Sequence, residues 1–189
     1  ERVSASVLRR TKVYVCPICA QRDIEDARRT GEPAPYGRTL WQISAIRTCL
    51  DHHCTLIPVA ESSRRATHDF SLLLRGRDAE IWQASRLPVS RSPSLLEHYV
   101  VNRLTGKPTD AAWLDQLDLS AATAICEVLG VLITVGAKAK MNSLSENTLH
   151  HAGHVGFTIA RGGETTIHEA LSDVYRRHVF NPHGSEGAP

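Results

Sequence analysis

Two pairs of metal-binding residue types occur near the start of this sequence with the same spacing. Two residues separate Cys16 from Cys19, and two residues separate Cys49 from His52. Zn²⁺ takes four nitrogen or sulfur ligands at roughly 2.0 to 2.3 Å, and a two-residue spacer lets one tight turn present two of them. The pattern predicts one tetrahedral zinc site whose ligands are Cys16, Cys19, Cys49 and His52.

The number of protein ligands indicates the kind of zinc site. A catalytic zinc has three protein ligands and keeps a position for water or substrate, whereas four protein ligands leave no open position. The alternative is that these cysteines are buried thiols or form a disulfide, but four ligand-type residues in paired spacing rarely arise in that way. We therefore expect one structural Zn²⁺ that contributes folding energy and organises the segment between the pairs.

The fourth ligand has an alternative. Cys54 lies two residues after His52, and its thiol could complete the tetrahedron in place of the imidazole. The spacing favours His52, because the two residues between Cys49 and His52 reproduce the first pair.

Further short motifs surround the two pairs and continue beyond them. They are Leu8-Arg9-Arg10-Thr11, Pro35-Tyr36-Gly37-Arg38, Trp41-Gln42, the run from Cys49 to Leu56, Trp113-Leu114 with Leu119, the run from Ala121 to Gly130, and the run from Ala152 to Ala160 followed by Gly162. In order and spacing the motifs before residue 57 resemble the zinc segment of the TniQ family of transposition proteins. The later motifs are similar to the helical second half of that family.

The resemblance implies a function carried out by surfaces. It implies a non-catalytic target-selection adaptor of a Tn7-like transposition system. Such an adaptor links a target-recognition element, either DNA itself or an RNA-guided Cascade-type complex, to the TnsC-like AAA+ ATPase of the transposon. Some relatives act as homodimers, so a homodimer is a further expectation. The alternative is a stand-alone zinc-ribbon protein that binds DNA or regulates without transposition partners.

Positive charge is concentrated in the first half of the chain. Residues 1–91 contain 15 Lys and Arg against 10 Asp and Glu, whereas residues 92–189 contain 7 against 10. Each cation that neutralises a phosphate adds salt-dependent affinity for nucleic acid. The alternative is a solvated face whose arginines pair with nearby acidic residues. The candidate nucleic-acid contacts are Arg9, Arg10, Lys12, Arg28, Arg29, Arg38 and Arg47.

The motifs of common enzyme classes do not occur in the sequence. There is no G-x-S-x-G elbow, no G-x-x-x-x-G-K-[ST] loop and no G-x-G-x-x-G fingerprint. His150 and His154 have the spacing of the H-E-x-x-H metalloproteases, but His151 stands where the catalytic glutamate is needed. We expect no catalytic residues, and we expect these histidines to lie on a polar helix surface or at an interface.

The composition indicates a protein of the bacterial cytoplasm without a membrane segment. The longest apolar run, from Ala124 to Ala137, is interrupted by Glu127 and is shorter than the roughly 20 residues that cross a bilayer. Five cysteines are an odd number with metal-type spacing, which fits a reducing compartment better than a disulfide framework. Cys126, among apolar neighbours, is expected to be a buried, inert thiol.

The elements that must position these residues are mostly helical. The sequence predicts a helix over 21–30 that ends at Gly31, a strand-like run over 40–48 and a loop over 58–68. Later helices are predicted to begin at Ser92, Ser120 and Ser145, with a fourth around 167–175. The predicted fold is mainly α, with a small zinc-finger or ribbon-like lobe followed by an α-helical bundle. The expected boundaries are a zinc-binding lobe at 1–60, a linker with a short helix at 61–91, the bundle at 92–180 and a disordered tail at 181–189.

Overall fold

A computed structural model describes residues 10, 12–31, 36–61 and 70–180 of the chain. Arg9 and the tail predicted at 181–189 lie outside these residues. The N-terminal lobe, taken as the described residues from 10 to 61, contains four short strands and one helix. The helical region, residues 95–180, contains four longer helices. The predicted fold class, mainly α with a small strand-containing N-terminal lobe, is confirmed.

The N-terminal lobe is built on an antiparallel pair of strands that leads into a helix. Strand β1 (Lys12–Val15) pairs with strand β4 (Ile57–Glu61). Helix α1 (Pro17–Thr30) follows β1 directly, with Cys16 as its N-cap. It ends at Gly31, as predicted, because Gly31 adopts a left-handed φ of 74°. The helix starts four residues earlier than predicted, since Pro17 stands in its first turn, where proline is well tolerated.

Two predictions for the rest of the lobe were wrong. The run over 40–48 is a 3₁₀ turn at Thr39–Gln42 followed by irregular chain with a single bridge residue at Ile43, and a strand starts only at Thr48 with β2 (Thr48–Cys49). Its apolar residues are buried or partly buried because the lobe packs around them, so a short apolar run did not indicate a strand here. The loop predicted to begin at residue 58 is strand β4 up to Glu61. Strand β3 (Cys54–Thr55) pairs with β2 in a hairpin.

The segment after the lobe contains two helices where one short helix was predicted. Helix α2 (Phe70–Leu74) lies near β4, and helix α3 (Asp78–Arg86) packs against α1. The connection between β4 and α2 falls on residues 62–69, outside the described part of the chain.

Four helices form the helical region. They are α4 (Leu95–Thr105), α5 (Leu119–Thr134), α6 (Glu146–Ala160) and α7 (Glu164–Phe180). Helix α4 is capped by Ser94 rather than the predicted Ser92, and α6 is capped by Ser145 as predicted. Helix α5 begins at Leu119 with Asp118 as N-cap, so the predicted cap at Ser120 was two residues late.

Helices α5 and α6 approach each other closely at two glycines. A Cβ atom on Gly130 would lie 1.8 Å from the Ala152 carbonyl oxygen, and one on Gly156 would lie 1.8 Å from the Cys126 carbonyl oxygen. Helix α4 also packs on α6, where the Tyr99 and Phe157 rings have centroids 5.1 Å apart. Within the described residues, no helix combines the length and the apolar character needed to cross a membrane.

Candidate metal centre

The two predicted ligand pairs lie on two different elements of the N-terminal lobe. Cys16 is the N-cap of α1, and Cys19 lies in the first turn of that helix. Cys49 ends β2, and His52 lies in the turn that connects β2 to β3. The helix start and the hairpin turn face each other, so residues about thirty positions apart in sequence converge.

The donor atoms of these four residues are spaced as one metal ion requires. They all lie within 4.8 Å of one another. The sulfurs of Cys19 and Cys49 are 3.8 Å apart, and His52 Nδ1 lies 3.2 Å from Cys19 Sγ and 3.6 Å from Cys49 Sγ. Ligands at roughly 2.3 Å from a central ion in a tetrahedron are about 3.7 Å apart. The residues present therefore form a Cys₃His set that could hold a metal ion.

The three thiols are shielded from solvent, as in a structural metal site. Cys16 is fully buried, and Cys19 and Cys49 are each 4% exposed. The described residues contain no disulfide, so the thiols are available as ligands. The ring of His52 is partly exposed. Its Nε2 atom, which is not the proposed donor atom, lies 3.4 Å from the guanidinium of Arg22.

Cys54, the alternative ligand, lies beside the set rather than within it. Its sulfur is 3.6 Å from Cys16 Sγ, and the group whose donor atoms are mutually within 4.8 Å contains His52 and not Cys54. Cys54 is almost fully buried, at 1% exposure. The geometry favours His52 as the fourth ligand. Cys54 lies next to the Cys16 sulfur, outside the set.

The hairpin turn is held in an unusual backbone conformation. His53 has a φ of 47°, in the left-handed region that few residues other than glycine adopt. Its N–H donates to the Cys49 carbonyl over 2.9 Å, which closes the turn between the two ligands of the second pair. Local hydrogen bonding thus fixes the separation of Cys49 and His52.

Comparison with known proteins places this lobe in a family. Residues 1–56 match the model of the TniQ family. Residues 1–56 are therefore assigned to the TniQ family, and we call the N-terminal lobe the TniQ lobe. The match associates the protein with transposition, and it includes all four residues of the Cys₃His set. No curated protein and no solved structure matches the chain.

Two of the predicted nucleic-acid contacts have buried side chains. Arg10 and Arg47 are each 5% exposed, and both pair with Glu146 on α6. Arg47 also lies 2.7 Å from Glu127 on α5. Burial and the nearby charge of Arg47 oppose the attraction of Glu146, and the net effect is a lowered pKa for Arg10. In this arrangement both guanidinium groups join the TniQ lobe to the helical region.

The other described candidates lie at the surface of the lobe. Arg28 pairs with Asp78 and Arg29 with Asp26, and all four side chains are more than half exposed. Arg38 donates two hydrogen bonds to Asp23 and stacks over the Trp41 and Tyr36 rings. Lys12 is exposed on β1. Contact of these residues with nucleic acid stays a prediction.

Sequence reasoning missed a group of residues that hold the second ligand pair. Glu97 is 1% exposed and accepts hydrogen bonds from the backbone N–H groups of Arg47 and Thr48. Arg91 contacts the Arg47 carbonyl and the Thr48 hydroxyl. The sequence contains a capping-box pattern at Ser94 and Glu97, but that pattern predicts only a helix start. The contacts with the TniQ lobe arise from the tertiary fold.

Two of the three histidines of α6 contact helix α4. His154 Nδ1 accepts from the Leu95 N–H at the start of α4, and His150 Nε2 lies 3.9 Å from Glu97. His151 is exposed. Cys126 is fully buried on α5, and burial raises the pKa of its thiol to about 12. His150 and His154 therefore contact α4, and Cys126 is a buried thiol of the helical region.

Proposed function

We propose that this protein is a non-catalytic target-selection adaptor of a Tn7-like transposition system, with one structural Zn²⁺ in its TniQ lobe. The observation that carries the proposal is the convergence of Cys16, Cys19, Cys49 and His52 within the segment that matches the TniQ family. A reducing bacterial cytoplasm suits an adaptor whose metal site depends on three reduced cysteines.

Zinc is the metal that this set of donors favours. Three thiolates and one imidazole in tetrahedral spacing are typical of structural zinc sites. The bound ion supplies folding free energy, because an unfolded chain does not hold these donors together. Cys16 and Cys19 would hold it from α1, and Cys49 and His52 from the hairpin. A set of four protein ligands leaves no position for a substrate.

The role of the lobe is then to present an ordered surface. Zinc fixes the segment between the two ligand pairs, so contact residues in that segment lose less conformational entropy when a partner binds. The proposed partners are a target-recognition element, either DNA or an RNA-guided Cascade-type complex, and the AAA+ ATPase that recruits the transposase. The exposed cations of α1 and β1, which include Lys12, Arg28 and Arg29, are the proposed nucleic-acid contacts.

The test compares two cysteine variants of the full chain. Cys16→Ser removes a proposed ligand, and Cys126→Ala removes a buried cysteine that lies outside the metal set. We expect about one zinc per chain in the wild type and in Cys126→Ala, and loss of zinc in Cys16→Ser. In a target-joining assay with the ATPase and transposase, Cys16→Ser should lose activity.

Two results would contradict the proposal. Normal target joining by Cys16→Ser would separate the metal centre from the function. If the chain bound DNA with a sequence preference but target joining did not depend on the chain, a stand-alone zinc-ribbon regulator would be favoured instead.

A further inference from the structure

The second ligand pair is held by a segment that lies outside the family match. We define the clamp segment as residues 89–97, which connect α3 to α4 and include the first residues of α4. The TniQ match ends at residue 56, so the clamp segment is not part of it. The hairpin that carries Cys49 and His52 makes contacts with the clamp segment on both sides.

The first set of contacts lies just before Cys49. Glu97 Oε1 accepts the N–H groups of Arg47 and Thr48, each over 2.7 Å. Its other oxygen accepts the Ser94 N–H over 2.6 Å, which completes the cap of α4. One buried carboxylate therefore joins the start of α4 to the backbone that leads into a metal ligand.

The second set of contacts lies just after His52. The N–H of Arg91 donates to the His53 carbonyl over 2.9 Å, and the N–H of Thr55 donates to the Val89 carbonyl over 2.9 Å. The Arg91 guanidinium also donates to Thr48 Oγ1 over 2.9 Å and to Asn147 on α6 over 2.8 Å. The clamp segment thus forms hydrogen bonds with the hairpin both before Cys49 and after His52.

We infer that Glu97 and Arg91 are positioning residues of the metal centre, through which metal binding and attachment of the N-terminal lobe to the helical region stabilise each other. The clamp segment fixes the positions of Cys49 and His52 relative to the first ligand pair. The bound metal in turn fixes the hairpin in the position that contacts the clamp segment. Such coupling is reciprocal: whatever each event adds to the other is the same free energy in both directions. This inference rests on the proposed metal site.

The test measures zinc affinity in the full chain by competition with a chromophoric chelator. Glu97→Gln keeps one carbonyl oxygen, so it cannot accept from Ser94 and from Arg47 and Thr48 with both oxygens. We expect its zinc affinity to fall roughly 10- to 100-fold, the range typical of residues that orient metal ligands. Arg91→Ala should weaken zinc binding in the same direction, and it keeps the inference testable if Glu97→Gln does not fold.

Ser94→Ala is the matched control. It removes the hydroxyl that accepts the Glu97 N–H over 3.2 Å, and so weakens the same helix cap. Among the described residues Ser94 forms no hydrogen bond with the hairpin, so the zinc affinity of Ser94→Ala should stay within about twofold of the wild type. An equal loss in Ser94→Ala and Glu97→Gln would show a general effect of helix stability and would overturn the inference.

Hydrogen exchange provides the reciprocal measurement. Removal of zinc should speed exchange of the Arg47 and Thr48 amides and of the amides at the start of α4, while the amides at the centre of α5 remain protected. Unchanged exchange at α4 would contradict the coupling. Absence of zinc from the wild type would defeat the proposed metal site itself, whereas normal zinc binding by Glu97→Gln and Arg91→Ala would defeat the coupling alone.

Discussion

Arg47 and Glu127 form a buried ion pair with 2.7 Å between Nη1 and Oε1, which joins the N-terminal lobe to helix α5. The two side chains are 5% and 11% exposed. Glu146 lies 3.1 Å from the Nε atom of the same guanidinium. The backbone N–H and carbonyl of Arg47 are themselves held by Glu97 and Arg91 of the clamp segment, so the lobe is attached through both a side chain and the main chain.

Glu127→Ala should destabilise the protein. Loss of one partner leaves a buried charge, which costs on the order of 3 to 5 kcal/mol, and the remaining Glu146 should keep the loss near the lower end. Denaturant unfolding of the zinc-loaded protein measures the change. Glu169→Ala, on the exposed face of α7, is the control and should change stability by less than about 0.5 kcal/mol. Equal stability of the two variants would show that the ion pair contributes nothing.

The identity of the fourth ligand can be decided by paired substitutions. His52→Ala should lose tightly bound zinc, because it removes the Nδ1 atom that lies 3.2 Å from Cys19 Sγ and 3.6 Å from Cys16 Sγ. Cys54→Ser should keep about one zinc per chain, because Cys54 lies outside the mutually close set. Metal analysis after gel filtration measures both. The reverse pattern would make Cys54 the ligand.

The close approach of α5 and α6 should make Gly156 intolerant of a side chain. In Gly156→Ala the new Cβ would lie 1.8 Å from the Cys126 carbonyl oxygen, so one helix must move. We expect a loss of stability of at least the 1 to 3 kcal/mol that is typical of overpacking.

Gly153→Ala on the same helix is the control for this prediction. There the new Cβ would meet Leu96 Cδ2 at 2.9 Å, the end of a side chain that can rotate. Both variants gain the same helix propensity, about 1 kcal/mol, so the difference between them reports packing. Thermal unfolding that ranked Gly153→Ala as the less stable variant would contradict the described helix contact.

His150 should make stability depend on pH. Burial disfavours the charged imidazolium and lowers the pKa of His150 from 6.5 to about 4, although nearby Glu97 acts in the opposite direction. The unfolded chain therefore takes up the proton first. The contribution of His150 is present above about pH 6.5 and is lost as the pH falls toward 4.

The measurement for His150 compares the wild type with His150→Gln at pH 7 and pH 5. Both proteins have the same metal ligands, so protonation of those ligands cancels in the comparison. The wild type should lose more unfolding free energy on acidification than the variant. An NMR titration of the ring that gave a pKa near the ordinary value would refute the assignment.

The residues of the Cys₃His set and most of the helices could be predicted from sequence because their determinants are local. The spacing of Cys16 to Cys19 and of Cys49 to His52 reflects what a single turn can present to a metal. Gly31 and Ser145 mark helix ends through backbone conformation and capping, which depend on a few neighbouring residues. These features can be predicted without knowledge of the rest of the fold.

Only the tertiary structure decided what the charged residues do. Arg10 and Arg47 were candidate nucleic-acid contacts because they are basic and lie in the basic half of the chain. In the structure both pair with Glu146 of α6, and Arg47 also pairs with Glu127 of α5. Glu97 caps its own helix as the sequence indicates, and it also holds the hairpin that carries Cys49. An ion pair or a hydrogen bond between residues 49 or more positions apart, such as Thr48 and Glu97, depends on how the elements pack. Local sequence patterns contain no information about that packing, and so the link between the metal centre and the helical region appeared only in three dimensions.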